Sequence, residues 1–119
     1  MMKSVCFIFN KPPYGQESGK ELLDICLMCS AFEMPITVIF QGDGVLQLIE
    51  NQQPDILNIK NYSKTFKALK LYGVETVLID AAGLEKHQLV TENILNIGEI
   101  ANSKIIQNVI QNTDFSIML

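Results

Sequence analysis

The chain has 119 residues and a formal net charge of −4, with 48% hydrophobic and only 18% charged residues. This length suits one domain around a single core, and we expect that domain to span residues 1–119. The acidic balance argues against a nucleic-acid surface that depends on overall positive charge. Charged residues make up about 25% of typical soluble domains. We therefore expect part of the surface to be buried against other subunits, with simple drift in composition as the alternative.

Targeting and disulfide signals are also missing from the sequence. No apolar run approaches the roughly 20 residues that a membrane helix needs. The first residues lead directly into a strand, without the apolar segment and cleavage site of a signal peptide. The three cysteines are an odd number, which does not suit a disulfide framework. Together these features predict a reducing, cytoplasmic setting.

The first half of the chain alternates strand and helix patterns. Val5–Asn10 is continuously apolar and predicts a buried strand. An apolar face at spacings of three and four predicts a helix over Glu17–Phe32, and Ile36–Phe40 predicts a second strand. The sequence Gly42-Asp43-Gly44 then predicts a sharp turn into a short helix, at the carboxyl end of that strand. In open α/β sheets this is the edge where ligands and partners bind.

The second half continues the alternation. The predicted elements begin with an extended piece over Asp55–Ile59, a helix over Ser63–Leu71, a strand over Val74–Ile79 and a helical turn at Gly83–Lys86. They continue with a strand over Ile94–Ile97, a helix over Glu99–Gln111 and a final strand over Phe115–Leu119. The apolar positions of this last helix are Ile100, Ile105, Val109 and Ile110. Alternation of this kind, with continuously apolar strands, predicts an α/β domain. Its sheet should be mostly parallel and covered on both faces.

The loop Gly15–Lys20 is the first candidate site, because it resembles a phosphate-binding P-loop between a strand and a helix. That motif needs four residues between its glycines and a Ser or Thr after the lysine. Here three residues intervene, and Glu21 occupies the place of the hydroxyl. We interpret the segment as an ordinary loop.

The cysteines are candidates for redox or metal chemistry. Cys26 and Cys29 form a C-x-x-C pair, but they lie in the middle of a predicted helix on its apolar face. Redox pairs occupy a helix N-terminus, and a zinc site would need a second pair of ligands. Cys6 lies inside the first strand. All three are predicted to be buried core thiols.

The remaining polar candidates give weaker signals. His87, the only histidine, is predicted to be a surface residue, because the sequence supplies no nucleophile or orienting group for it. A stripe of four lysines could contact RNA or an acidic partner, although a solvated helix face is favoured. The stripe consists of Lys60, Lys64, Lys67 and Lys70. Asp43 and Asp80 each follow a strand, so they could share a sheet edge, where paired carboxylates could bind a metal.

Several segments together resemble the TusC/DsrF branch of the DsrE/F/H-like sulfur-relay family. They are VCFIFNKPPYG from Val5, Gly19 with Glu21-Leu22-Leu23-Asp24, FQGDGVLQL from Phe40, Gln53-Pro54-Asp55, YSKTFKALKLYGV from Tyr62 and AAGLEKH from Ala81. The resemblance spans nearly the whole chain. It implies a three-layer α/β/α domain with a mostly parallel sheet of about five strands.

The resemblance also implies a function. Proteins of this kind assemble as TusB, TusC and TusD in a heterohexamer that passes persulfide sulfur toward 2-thiolation of the tRNA wobble uridine. The place of the family's relay cysteine falls here at Ile79 or Asp80, neither of which can carry a persulfide. The resemblance thus implies a non-catalytic structural subunit with TusB-like and TusD-like partners. No cofactor, metal or direct tRNA contact is expected.

Three other functions remain open from the sequence. A DsrF-like subunit in dissimilatory sulfur oxidation would share the same fold. A sulfurtransferase that uses Cys6, Cys26 or Cys29 would need one of these thiols to be exposed and to have a lowered pKa. A nucleotide-binding module would have to use the loop Gly15–Lys20, despite its spacing.

Overall fold

A computed structural model describes residues 3–11, 24, 27, 28, 31, 34–49, 74–94 and 97–118. Within these residues one sheet of five strands has the order β4-β3-β2-β1-β5, and every strand pair is parallel. The strands are β1 Val5–Phe9, β2 Ile36–Phe40, β3 Thr76–Asp80, β4 Glu99–Ala101 and β5 Phe115–Met118. The predicted α/β class with a parallel sheet is therefore confirmed.

Helical segments follow three of these strands. They are a 3-10 helix over Gly42–Leu48, α1 over Ala81–Lys86, a short 3-10 turn over Thr91–Asn93 and α2 over Ser103–Asn112. In the described part of the chain, none of the helices is long and apolar enough to cross a membrane.

The sheet has a separate apolar cluster on each face. Alternate residues of a strand point to opposite faces, so Phe7 and Phe9 belong to one cluster while Cys6 and Ile8 belong to the other. The first cluster also includes Val45 from the 3-10 helix. Since helical segments cover both faces, the predicted three-layer α/β/α arrangement is confirmed.

Helix α2 covers the second face through a narrower stripe than the sequence suggested. Ile106 is fully buried, with Val109 and Ile110 packed beside it at spacings of three and four. Ile105, one of the apolar positions named in the sequence, is instead 48% exposed. The helix begins after Asn102, whose side chain accepts a hydrogen bond from Ile105 N–H at 2.9 Å.

Two predicted boundaries around β4 were also wrong. The strand expected at Ile94–Ile97 lies instead at Glu99–Ala101, where it pairs with the end of β3. A Cβ built on Gly98 would lie 2.5 Å from Val77 O, so only glycine lets the chain pass this close to β3. Residues assigned to the start of a helix at Glu99 are therefore in the sheet, while Ile94 forms an isolated antiparallel bridge with Ile49.

A polar clamp joins the beginnings of β1 and β5. Asp114 Oδ2 accepts hydrogen bonds from Ser4 N–H at 2.8 Å and from the Ser4 hydroxyl at 3.2 Å. Phe115 N–H in turn donates to Ser4 O at 3.1 Å. These bonds to Ser4 hold the pKa of the Asp114 carboxyl below its usual value.

Several predictions fall on other parts of the chain. The extended piece Asp55–Ile59, the helix Ser63–Leu71 and the lysine stripe lie outside the described residues, as do the loop Gly15–Lys20, Cys26 and Cys29. Of the helix predicted over Glu17–Phe32, four residues are described, and Leu27 among them packs against the first cluster.

Candidate functional site at the carboxyl edge of the sheet

The site lies where β2 and β3 end side by side and each leads into a helical segment. Gly42, at the start of the 3-10 helix, has φ +55°, a left-handed conformation that glycine adopts without strain. A Cβ on Gly44 would lie 1.7 Å from Phe9 O, so the turn packs directly on the end of β1. A Cβ on Gly83 would lie 2.8 Å from Gly42 O. The three glycines thus bring the turn, β1 and α1 into close contact.

Asp80, the last residue of β3, connects the two segments. Its Oδ1 caps α1 by accepting a hydrogen bond from Ala82 N–H at 3.2 Å. Its Oδ2 accepts a hydrogen bond from Gly42 N–H at 3.0 Å, across 38 positions of sequence. The side chain is buried, with 6% of the residue exposed. Both carboxylate oxygens are therefore used in holding backbone.

A charged group lies beside this connection. Asp43 Oδ1 is 3.0 Å from Lys86 Nζ and 2.8 Å from His87 Nε2. Asp43 follows β2, while Lys86 and His87 stand at the end of α1. Side-chain exposure is 64% for Lys86 but only 23% for His87, so the imidazole is the more enclosed partner.

The hydrogen bonds determine which His87 nitrogen carries a proton. Bonds from Lys86 and then from His87 lower the pKa of the Asp43 carboxyl, which is therefore ionised at neutral pH. An ionised carboxylate only accepts hydrogen bonds, so Nε2 of His87 carries the hydrogen. In the neutral ring Nδ1 is then the acceptor, and the described residues give it no hydrogen-bond partner.

Ile79 and Asp80, the two positions predicted for the family's relay cysteine, have different surroundings. Ile79 is 2% exposed and belongs to the first apolar cluster. Asp80 is the connecting residue described above. Cys6 is fully buried on the opposite face of the sheet, and burial raises the pKa of its thiol to about 11. Its prediction as a core thiol is confirmed.

The structure brings together some of the predicted site residues and revises others. Asp43 and Asp80 do share one sheet edge, as expected from their places after strands. Within the described ranges, however, no three His, Cys, Asp or Glu residues are grouped in a way that could hold a metal ion. His87 is partly exposed, with 23% of its side chain accessible, and its contact with Asp43 was not predicted, because no local pattern indicates it. The available signal was that both residues follow strands that become neighbours in the sheet.

Comparison with known proteins identifies the family. A family model described as DsrE/DsrF-like matches residues 3–115, which is almost the entire chain. The chain belongs to the DsrE/DsrF-like family. Two segments that carried the resemblance, FQGDGVLQL and AAGLEKH, are those that meet through Asp43, Lys86 and His87.

Named relatives place this family member near TusC. Protein TusC of Buchnera aphidicola subsp. Acyrthosiphon pisum (strain Tuc7) is 42% identical over 98 residues, covering 81% of this chain and 82% of that protein. The Protein TusC homolog of Haemophilus influenzae is 40% identical over 110 residues, covering 90% and 92%. The resemblance to the TusC branch is therefore confirmed.

A solved structure supports the fold. The crystal structure of the ychN protein from E. coli has a TM-score of 0.85 to this chain, covering 99% of it and 100% of that chain. At 18% sequence identity this similarity concerns the fold alone.

Proposed function

We propose that this chain is a TusC-like subunit of a TusBCD-like sulfur-relay complex, which passes persulfide sulfur toward 2-thiolation of the tRNA wobble uridine. Family membership and relatives named TusC at 40–42% identity support this function. Its partners are TusB-like and TusD-like subunits in a cytoplasmic heterohexamer, which link it indirectly to the sulfur donor and acceptor proteins. Since the relatives carry the TusC name, dissimilatory sulfur oxidation is the less favoured setting.

The observation that carries the proposal is that Ile79 and Asp80 occupy the place predicted for the relay cysteine. A persulfide carrier needs an accessible thiol, and neither residue has one. The Asp80 carboxylate is instead used by the backbone of Gly42 and Ala82, which makes it part of the scaffold. We therefore infer that the chain carries no persulfide at the family's relay position and that a partner subunit carries it.

The alternative of a sulfurtransferase that uses its own thiol has little support from Cys6. Sulfur transfer needs a thiolate, whereas burial raises the pKa of Cys6 to about 11 and leaves the residue with no exposed surface.

Exposed apolar side chains at both edges of the sheet support a subunit in an assembly. Phe115 and Met118 on β5 are 53% and 55% exposed, and Ile100 on β4 is 46% exposed. Edge strands in monomeric proteins are usually protected by charged residues, bulges or proline. β5 has no charged residue among Phe115–Met118, which suits a strand that is covered by a neighbouring subunit.

Omission of the chain from the complex tests this function. Partner proteins from the same cell are assembled with and without this chain, and the transfer of labelled sulfur to the acceptor protein is measured. We expect transfer to require the chain, and an Asp80→Asn variant that still assembles should support normal transfer. Transfer at the normal rate by the partners alone would refute the proposal.

A further inference from the structure

The paired histidine at the carboxyl edge has an unused chemical capability. His87 Nε2–H donates to the Asp43 carboxylate at 2.8 Å, which fixes the ring and leaves Nδ1 as a base. A histidine oriented by a carboxylate in this way is the general-base half of many nucleophilic sites. In the described part of the chain no hydroxyl or thiol is hydrogen-bonded to this imidazole. Among the described residues, this base therefore has no nucleophile beside it.

The missing nucleophile cannot be the described cysteine of this chain. Cys6 belongs to the cluster on the sheet face opposite Phe7 and Phe9, whereas the 3-10 helix that carries Asp43 packs on their face. His87 retains 23% exposure and Lys86 64%, so the pair faces solvent at an edge that a second protein can reach. Since the described residues supply no nucleophile beside His87, a nucleophile on a docked protein can take this place.

We propose that His87 Nδ1 accepts the thiol proton of a cysteine on a sulfur-carrying partner subunit that docks at this edge, with Asp43 as the residue that positions the imidazole. This inference rests on the proposed function, because it assigns the site a thiol partner. Lys86 is bound to the same Asp43 oxygen, and its exposed ammonium adds positive charge that favours a thiolate.

The sulfur-transfer step balances without any added oxidant or reductant. The acceptor thiol gives its proton to Nδ1, and the thiolate attacks the outer sulfur of the incoming persulfide. A new sulfur–sulfur bond forms on the acceptor as that of the donor breaks. The donor sulfur leaves as a thiolate and takes the proton back from His87.

Backbone geometry next to the histidine agrees with a fixed docking edge. Gln88 has φ +56°, a left-handed conformation that a non-glycine residue rarely adopts. Leu89 packs against the first apolar cluster, while Val90 is 57% exposed. The strained turn therefore fixes the chain after His87 and leaves an apolar side chain facing outward. Strain of this kind is often found at functional sites.

Alkylation of the partner's cysteine in the assembled complex provides the test. Its rate with iodoacetamide is measured against pH in the wild-type complex and in the His87→Gln complex, together with sulfur transfer. General-base catalysis contributes about 10²–10⁴-fold, so we expect both rates to fall by about 100-fold near neutral pH in the variant. The loss should shrink above about pH 8.5, where thiols ionise without help.

Two further variants distinguish a role of this site in proton transfer from a role in assembly of the complex. Asp43→Asn keeps the histidine but removes its carboxylate, and it should slow both reactions while leaving the mass of the complex unchanged. Glu85→Gln, an exposed change in the same helix, should leave both rates unchanged.

The inference and the proposed function fail in different ways. Equal rates and pH profiles in wild-type and His87→Gln complexes of full mass would overturn the inference and leave the subunit function intact. If His87→Gln does not assemble, the partners are instead measured with and without the wild-type chain. Its addition to the partners must raise alkylation of their cysteine at neutral pH, and no increase would overturn the inference.

Discussion

Removing the Asp80 carboxylate should destabilise the carboxyl edge by an amount that follows from its two hydrogen bonds. In Asp80→Ala, α1 loses its N-cap, which costs about 0.5–2 kcal/mol in comparable helices. Gly42 N–H loses a charged acceptor, and hydrogen bonds to charged groups contribute about 1.5–3 kcal/mol. The two losses share one side chain, so we expect a total decrease of about 2–4 kcal/mol in the free energy of unfolding.

Urea unfolding of the isolated chain measures this change. With a urea slope of about 2 kcal/mol per molar, the midpoint should fall by about 1–2 M while the slope stays constant. Asp80→Asn is the matched comparison: its side-chain oxygen can still cap α1, but its amide group cannot accept from Gly42 N–H. Its loss should therefore be smaller. A free energy of unfolding for Asp80→Ala within about 0.5 kcal/mol of wild type would refute the structural role assigned to this residue.

Three further predictions follow from the described contacts. Gly44→Ala should prevent stable folding or lower the melting temperature steeply, as followed by circular dichroism, because its Cβ would lie 1.7 Å from Phe9 O; a melt like that of wild type would contradict this packing. Cys6 should resist iodoacetamide in the native chain and react in urea, and rapid native labelling would show that its thiol is accessible. The lowered pKa of Asp114 adds stability at pH values above about 3.8, the pKa of the carboxyl in the unfolded chain, and this contribution is lost as pH falls through the folded pKa. Asp114→Asn should therefore reduce the loss of stability in acid, measured as the free energy of unfolding against pH. An unchanged profile would contradict the role of Ser4.

The sheet could be predicted from sequence because its strands are unusually uniform. Val5–Phe9 and Ile36–Phe40 are continuous apolar runs, and such runs become buried parallel strands when helical segments lie between them. The boundaries near β4 were harder, since Glu99 and Ile100 fit a helical period as well as a short edge strand. What decided between them was the close approach of Gly98 to β3 and the cap at Asn102. Neither contact is visible in a local pattern.

The candidate site was only partly predictable for a related reason. The Gly42-Asp43-Gly44 turn indicated the correct edge, because two glycines directly after a parallel strand favour a tight turn at its carboxyl end. The pairing of Asp43 with His87 depends on β2 and β3 being neighbours and on α1 packing against the turn. Sequence separation hides such a pairing until the strand order is known.

Mass spectrometry of the sulfur-loaded assembly tests the central claim most directly. The complex is first weighed intact and then dissociated, so that each subunit is weighed with any sulfur it carries. The proposed function predicts equal copies of three different chains, with the additional sulfur on a partner and none on this chain. A chain that remains alone in the presence of these partners, or that itself carries the sulfur, would contradict it.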